Sequence, residues 1–257
     1  MGLTKTILKL AAPIPKIEDY QRFLFIGPHP DDIEIGAGAT AAKLADMGKD
    51  VRFLVCIDGR FGTGNAPEGV EGDKLVALRQ KEAKRSAAKL GVKEVHFLNL
   101  KDGGFYEKKD LILGIAKEVG DFQPDVIFAP DPCVTSECHI DHLNVGNAAK
   151  QVAYFAPYKE IMQEYGAASA KVQALAYYMT AKPTQYIATR GYLKKQLNAI
   201  FSCHLSQFPK GCDDAKSIPL YLKLRSIDFG IRSLTGCAEG FRVLGVTQMH
   251  CLPEAGE

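Results

Sequence analysis

The 257-residue chain has no uncharged apolar stretch approaching the roughly 18 to 20 residues that a membrane-spanning helix needs. No bilayer-crossing helix is therefore expected. It has no excess of one charge either, since 32 Lys plus Arg face 30 Asp plus Glu, for a formal net charge of +2. Without a broad basic field or a Lys/Arg block, counterion release supplies little affinity for nucleic acid, and no patch suits an anionic membrane surface. The seven cysteines, at 56, 133, 138, 203, 212, 237 and 251, are odd in number, scattered, and form no CxxC pair. Neither a disulfide framework nor a thiolate zinc site is expected, and most of these thiols read as small buried hydrophobes. The opening segment MGLTKTILKLAAPIPKIEDY carries a short apolar run, then two prolines and an acidic pair where a signal peptide would show a small-residue cleavage site. This predicts a cytoplasmic protein.

What is present points to one large α/β domain. With 46% hydrophobic residues, a chain of this length can bury roughly three quarters of the surface its unfolded form exposes. Arg22 to Gly27 (RFLFIG) reads as a strand that stops at Gly-Pro, and Gly36 to Met47 carries Ala, Leu and Met at helical spacing. The unit repeats: VRFLVCI from Val51, a Gly-rich loop to about Asp73, then a helix with Leu75, Leu78, Ala83, Ala87 and Leu90 on one face. Val95 to Leu98 is a third strand, followed by a helix around Leu111 to Val119, and Asp125 to Ala129 is a fourth. Short, fully apolar strands alternating with helices predict a Rossmann-like parallel sheet covered by helices on both faces. Ala174 to Thr180 and Tyr186 to Thr189 read as strands, and Leu193 to His204 and Pro219 to Leu234 as helices. The expectation is a single domain over residues 1–257, with the sheet core at about 20–150 and a capping region at about 151–257.

In open parallel sheets ligands bind beyond the carboxyl ends of the strands, and two of those loops hold unusual residues. After the first strand comes Gly27-Pro28-His29-Pro30-Asp31-Asp32, and the loop after the fourth ends in His139-Ile140-Asp141-His142. Three of the six histidines and three carboxylates thus share one edge of the sheet. A catalytic Zn²⁺ usually takes three protein ligands from His and Asp/Glu and leaves a position open. The spacing of His29 and Asp32 lets both side chains of a tight turn aim at one point, with Pro30 limiting the backbone between them, and His142 completes a His, Asp, His set. Asp31, His139 and Asp141 remain. A metal hydrolase needs such parts: a carboxylate to take a proton from water, and a protonatable imidazole to stabilise an oxyanion and protonate a leaving amine. Asp141 can orient an imidazole by accepting its second ring proton.

Blander readings exist for each piece. A lone His-x-x-Asp is commonly a hydrogen-bonded loop pair, and His-x-Asp-His can open a helix with Asp141 favoured by the dipole. Their coincidence on two strand-end loops favours a metal. His96, in a strand, and His204, near a helix end, read as structural. A dinucleotide site is sketched by Gly36-Ala37-Gly38 and by Asp58 twenty residues on. It fails because a long loop replaces the tight glycine turn, and because Asp31 and Asp32 would repel a pyrophosphate.

With these residues in hand, the chain resembles the LmbE-like (PIG-L type) family of zinc-dependent N-acetylglucosamine deacetylases, marked by a His-Pro-Asp-Asp loop and a His-x-Asp-His loop. The resemblance runs from about Phe23 to His250. It includes Arg79-Gln80-Lys81-Glu82 ahead of Leu90-Gly91-Val92, the Asn99 to Phe105 segment, Cys203 to Phe208, and Glu239-Gly240-Phe241-Arg242. Within the family the pattern is closest to the diacetylchitobiose deacetylases. The resemblance implies one zinc per subunit, with another divalent metal as the alternative, bound by His29, Asp32 and His142. It implies Asp31 as general base and His139 as the group that polarises the tetrahedral intermediate, with Asp141 behind it. It further implies that Arg79 contacts sugar hydroxyls, that Asp102 lies at the substrate mouth, and that His250 reaches a neighbouring subunit's site.

The activity so implied is removal of an acetyl group from an N-acetylglucosamine-type amino sugar, a small-molecule substrate, with release of acetate and the free amine. The assembly implied is a homo-oligomer, commonly a hexamer among relatives. Alternatives are another N-acyl substrate (a glycosyl-inositol, a malate-linked glucosaminide or a non-sugar amide) or a non-catalytic Rossmann-like binding module. Intact Asp31 argues against the last. The Gly59 to Asp73 loop is expected to be mobile and to shape the pocket. One departure stands out: many relatives carry Glu directly after the second Asp of the first motif, where this chain has Ile33 and then Glu34.

Overall fold

The computed structural model describes Ile7, Leu10 and residues 11–250. Four βα units come first: β1 (Arg22–Gly27), α1 (Asp32–Asp46), β2 (Asp50–Ile57), α2 (Gly72–Leu90), β3 (Glu94–Leu100), α3 (Lys108–Phe122), β4 (Val126–Pro130) and α4 (Ile140–Phe155). The short helix α5 (Lys159–Glu164) precedes β5 (Ala174–Tyr178) and β6 (Gln185–Ala188). Then come α6 (Leu193–Cys203), α7 (Asp214–Arg232) and β7 (Ala238–Gly245). The strands form one sheet in the order β3-β2-β1-β4-β5-β7-β6.

Strands β1 to β5 run parallel to one another, and β1 is buried from Phe23 to Gly27, as its unbroken apolar run demands when both faces are covered. Alternation along the strands divides the core. Leu24, Ile26, Leu54 and Ile127 face α3 and α4 through Leu111, Ile115, Val145 and Val152. Phe23, Phe25, Phe53 and Phe128 face α1, α2 and α6 through Ile33, Ala41, Leu90 and Ala199. Phe25 and Phe128 stack with ring centroids 4.2 Å apart, which fastens β1 to β4 on that face.

The expected fold class holds, with two corrections. The region from 151 onward does more than cap: β5, β7 and β6 widen the sheet, and β7 runs antiparallel to both β5 and β6, so the sheet is mixed. Strand β7 went unread because its two glycines and its Glu and Arg (AEGFRVLG) blur the apolar signal. Helix α7 begins earlier than expected and carries Pro219 inside. No helix among the described residues is long and apolar enough to cross a membrane. The six described cysteines are free, with Cys56 and Cys203 buried, Cys212 and Cys237 half-buried, and Cys133 and Cys138 exposed. Cys251 lies outside the described residues.

Candidate metal centre

The first turn of the chain passes from β1 to β2 on one side, while β4 and β5 lie on the other. The loops after β1 and β4 therefore part at a topological switch point, where an open α/β sheet leaves a crevice. His29 to Asp31 fill the first loop, and residues 131–139 the second.

Asp32 opens α1 and is the hub. Its Oδ2 accepts the backbone N–H of His29 at 2.8 Å and lies 3.2 Å from His29 Nδ1 and 3.3 Å from His142 Nε2. Two imidazole nitrogens thus converge on one carboxylate oxygen, and the ligand atoms of His29, Asp32 and His142 lie within 4.8 Å of one another. Two nitrogens and one oxygen match the donor set of a three-ligand divalent metal site. The outer atom of the His29 ring is also met, since Nε2 lies 3.2 Å from Asp102 Oδ1 and from Asp141 Oδ2, and such carboxylate partners hold a ligating ring in one tautomer. His142 Nδ1 lies 3.2 Å from Glu137 Oε2 without a hydrogen bond between them.

A second grouping, His29 with Asp102, His139 and Asp141, also brings its ligand atoms within that distance. Its carboxylates are already committed. Asp102 Oδ2 accepts Phe61 N–H at 3.1 Å, and Asp141 accepts the N–H groups of Gly103 and Gly104 at 2.9 Å each. Both glycines have φ near +80°, a conformation glycine adopts cheaply, and their turn aims both amides at Asp141. Both groupings are candidate cation sites, and the first differs in having two imidazoles and one carboxylate.

The charges follow from this packing. Burial works against a charged His29 ring, but hydrogen bonds to Asp102, Asp141 and Asp32 outweigh it and hold its pKa well above the usual imidazole value. Burial likewise opposes the charged His142 ring, and Asp32 overrides it and raises its pKa. Asp32 goes the other way: the two rings overcome burial and hold its carboxyl well below the usual range. These directions are what a buried cluster of imidazoles and carboxylates produces.

Asp31 differs from its neighbour. Burial pushes its carboxyl up to about 6 against the pull of the Arg79 guanidinium. Its backbone sits at φ 126°, a strained value for a residue with a side chain. Arg79 braces the loop, with Nη2 donating to Pro30 O at 2.9 Å and to Asp31 Oδ2 at 3.2 Å, and Nη1 donating to Gly59 O at 3.0 Å. Arg79 is thus buried in the wall rather than standing free for a ligand, although its Nε has no partner.

His139 is the N-cap of α4. Its Nδ1 accepts Asp141 N–H at 3.3 Å, so in the neutral ring the proton is on Nε2. Its side chain is half exposed. Asp141 therefore does not stand behind His139 as expected: its Oδ2 is 3.9 Å from His139 Nδ1 and 3.2 Å from His29 Nε2. Asp102 likewise lies deeper than a mouth position, 7% exposed and against His29. His250 packs its ring on Tyr154, centroids 5.3 Å apart. Tyr154 is twelve residues along α4 from His142, about 18 Å by helical rise, so His250 does not reach the site of its own chain.

His29, Asp31, Arg79, Asp102 and His139 line an open cavity of about 410 Å³ together with Phe61, Gly62, Gly103 and Gln207. Gln207 Nε2 donates to Gly62 O at 2.9 Å, which ties the loop after β2 to the segment after α6. Phe61 and Phe105 are exposed and meet edge-on, centroids 6.1 Å apart.

Sequence reasoning missed the braces. Ile33 is fully buried in the core, and Glu34, the next residue, bonds His204 Nε2 at 2.9 Å in a sealed pair. Helix α1 is interrupted at Ala37 (φ −151°). There Glu239 accepts the N–H groups of Ala39 and Thr40 at 3.2 and 2.7 Å, and Gln196 Nε2 donates to Glu34 O at 2.8 Å and to Glu239 Oε1 at 3.0 Å. The kink brings Gly36 onto the Tyr178 ring, where a Cβ would sit 2.2 Å from the nearest carbon. The only signal for these braces was that His204 and Glu239 fall in segments shared with relatives.

The model of the GlcNAc-PI de-N-acetylase family (PIG-L) matches residues 24–153. A diacetylchitobiose deacetylase of Thermococcus kodakarensis is 32% identical over 260 residues, covering 98% of this chain and 93% of the relative. A 1D-myo-inositol 2-acetamido-2-deoxy-alpha-D-glucopyranoside deacetylase of Kineococcus radiotolerans is 32% identical over 47% of this chain and 35% of the relative. Among solved structures, the N,N'-diacetylchitobiose deacetylase of Pyrococcus horikoshii superposes with a TM-score of 0.82 at 30% identity, covering 98% of this chain and 97% of its own.

Proposed function

The chain belongs to the PIG-L (GlcNAc-PI de-N-acetylase) family and is an N-deacetylase, and on that premise we propose that it hydrolyses the acetamide of an N-acetylglucosamine unit, with zinc held by His29, Asp32 and His142. The observation that carries this reading is the convergence of His29 Nδ1 and His142 Nε2 on Asp32 Oδ2 beside a separate buried carboxylate, Asp31.

A divalent metal in that cage supplies a Lewis acid beside the acetamide. The chain's own residues do the rest. Asp31, whose carboxyl sits near 6 through burial, is ionised at neutral pH and accepts the proton of the attacking water. His139 lines the cavity, and its Nε2–H donates to the carbonyl oxygen as that oxygen gains negative charge. Collapse then breaks the C–N bond, the proton taken up by Asp31 passes, directly or by way of His139, to the departing nitrogen, and the sugar amine and acetate leave. Arg79 keeps Asp31 oriented through Pro30 O, while Asp102 and Asp141 keep the His29 ring in the tautomer that presents Nδ1. Phe61 and Phe105 at the rim offer apolar faces for a pyranose ring. The near-full-length relative is named for a disaccharide, which favours a chito-oligosaccharide over an inositol conjugate. A homo-oligomer belongs to the same reading, and in it His250 serves only across a subunit boundary.

The test is acetate release from N-acetylated sugars with metal analysis on the same sample. The expected result is turnover that tracks one zinc per chain; full turnover after exhaustive chelation sinks the proposal.

A further inference from the structure

Helix α1 is in effect two helices. At Ala37 the backbone leaves the helical region, with φ −151° and ψ 18°, so Asp32 to Gly36 form a separate turn that carries the hub carboxylate and adjoins Asp31. Such a break strands backbone groups, because the N–H of each helical residue normally donates to the carbonyl four positions earlier. Buried groups so stranded need other partners. Two side chains from the second half of the chain supply them. Ala39 N–H, whose ladder partner would be Ile35 O, donates to Glu239 Oε1 at 3.2 Å, and Thr40 N–H donates to Oε2 at 2.7 Å. A side chain inserted into the ladder in this way is a known cause of a kink.

On the other side of the break, Gln196 Nε2 donates to Glu34 O at 2.8 Å and to Ile35 O at 3.4 Å. The same nitrogen donates to Glu239 Oε1 at 3.0 Å. The acceptor that holds the body of α1 and the donor that holds its first turn are therefore bonded to each other. Two further contacts hold this turn, the Glu34–His204 pair and the packing of Gly36 on Tyr178, but neither meets a backbone polar group of it. Gln196 is 1% exposed, and with Glu239 it lines a cavity of about 210 Å³ that is separate from the cavity beside His29. Both residues thus act on the turn from behind. The turn in question aims Asp32 Oδ2 at two imidazole nitrogens 3.2 and 3.3 Å away, and a misplacement of about 1 Å in such a site costs a reaction roughly 10²-fold.

We propose that Gln196, held by Glu239, is a positioning residue that fixes the first turn of α1 so that Asp32 faces the two imidazoles and Asp31 faces the cavity. The proposal rests on the hydrolase reading and adds to it the side chains through which α6 and β7 aim the cage.

Gln196→Met keeps the length of the side chain and removes the donor. It is expected to bind zinc about 10- to 100-fold more weakly than wild type in competition with a chelator, and to lose kcat at saturating zinc by a comparable factor, with KM unchanged. Gln196→Lys, whose ammonium offers three donors to the same three acceptors, should recover most of both. Ser226→Ala, in the wall of the same cavity with a hydroxyl that has no partner, should behave as wild type. Unchanged zinc affinity and kcat in Gln196→Met overturn the proposal whatever its melting temperature, as does a Gln196→Lys no better than Gln196→Met, or an equal loss in Ser226→Ala. If Gln196→Met does not fold, Glu239→Gln takes its place, with a smaller loss in the same two readouts expected and no loss overturning the proposal. The two failures are distinguishable: a wild type fully active after exhaustive chelation sinks the hydrolase reading, whereas zinc-dependent turnover beside an unimpaired Gln196→Met sinks only this one.

Discussion

Two imidazole–carboxylate clusters flank the first turn of α1, and only one is open. At Asp32, two rings converge on one oxygen beside a cavity. At Glu34, two residues on, a single ring of His204 meets one oxygen at 2.9 Å with both side chains almost wholly buried. Both raise the imidazole pKa against the effect of burial. The chemistry of the residues is the same, so the difference lies in how many donors converge and whether solvent reaches them. The sealed pair cannot admit substrate; it anchors the turn that carries Asp31 and Asp32. A perturbed histidine is thus a poor guide to function until its surroundings are known.

The comparison breaks most sharply at Asp31. Asp31→Asn should keep zinc and the fold while losing roughly 10²- to 10⁴-fold in kcat, the usual worth of a general base; a variant with near wild-type kcat would remove Asp31 from the chemistry. His142→Ala should cost more metal affinity than the roughly 10- to 100-fold seen when an outer hydrogen-bond partner is lost, with little change in the melting temperature of metal-free protein. Titration with a chromophoric chelator reads this. In the sealed cluster the pattern should invert: Glu34→Ala strands the His204 ring and should cost about 3–5 kcal/mol of stability, with stoichiometric zinc retained in whatever stays folded. Urea denaturation with metal analysis separates the two; loss of zinc at full stability would place Glu34 in the cage instead.

The smallest effect concerns pH. His29 and His142 have folded pKa values above their unfolded ones. In metal-free protein their contribution to stability is fully present below about pH 6.5 and lost as pH rises through the raised values. Asp32, with a lowered pKa, contributes constantly above about pH 4. Zinc needs both rings deprotonated, so the gain in melting temperature on adding zinc should grow from about pH 6 to about pH 8. Calorimetry that finds a gain falling with pH over that window contradicts the cage.

Much of this was legible in the chain. The first four strands could be placed from unbroken apolar runs between Gly and Pro, because hydrophobic periodicity is a local property. The two histidine loops could be placed at one sheet edge because a parallel βα order puts every such loop there. Strand β7 was not legible, since its glycines and charges are compensated by neighbours far away in sequence. Nor were the partners of Asp141 and Arg79. The family resemblance implied that Asp141 stands behind His139, two residues away, whereas the turn at Gly103 and Gly104 draws it to His29. Arg79, 48 residues beyond Asp31, reaches that loop because α2 packs beside α1.

The sequence by itself determined the layered α/β fold and brought the candidate metal and proton-transfer residues to one edge of the sheet. Only the tertiary structure decided which nitrogen faces which oxygen, which carboxylate is a hub and which a brace, and that Glu34 and His204 are sealed away. The physical reason is range: burial patterns follow from residue type and a repeat of two or 3.6 positions, while a hydrogen bond depends on a few tenths of an ångström between groups more than a hundred residues apart.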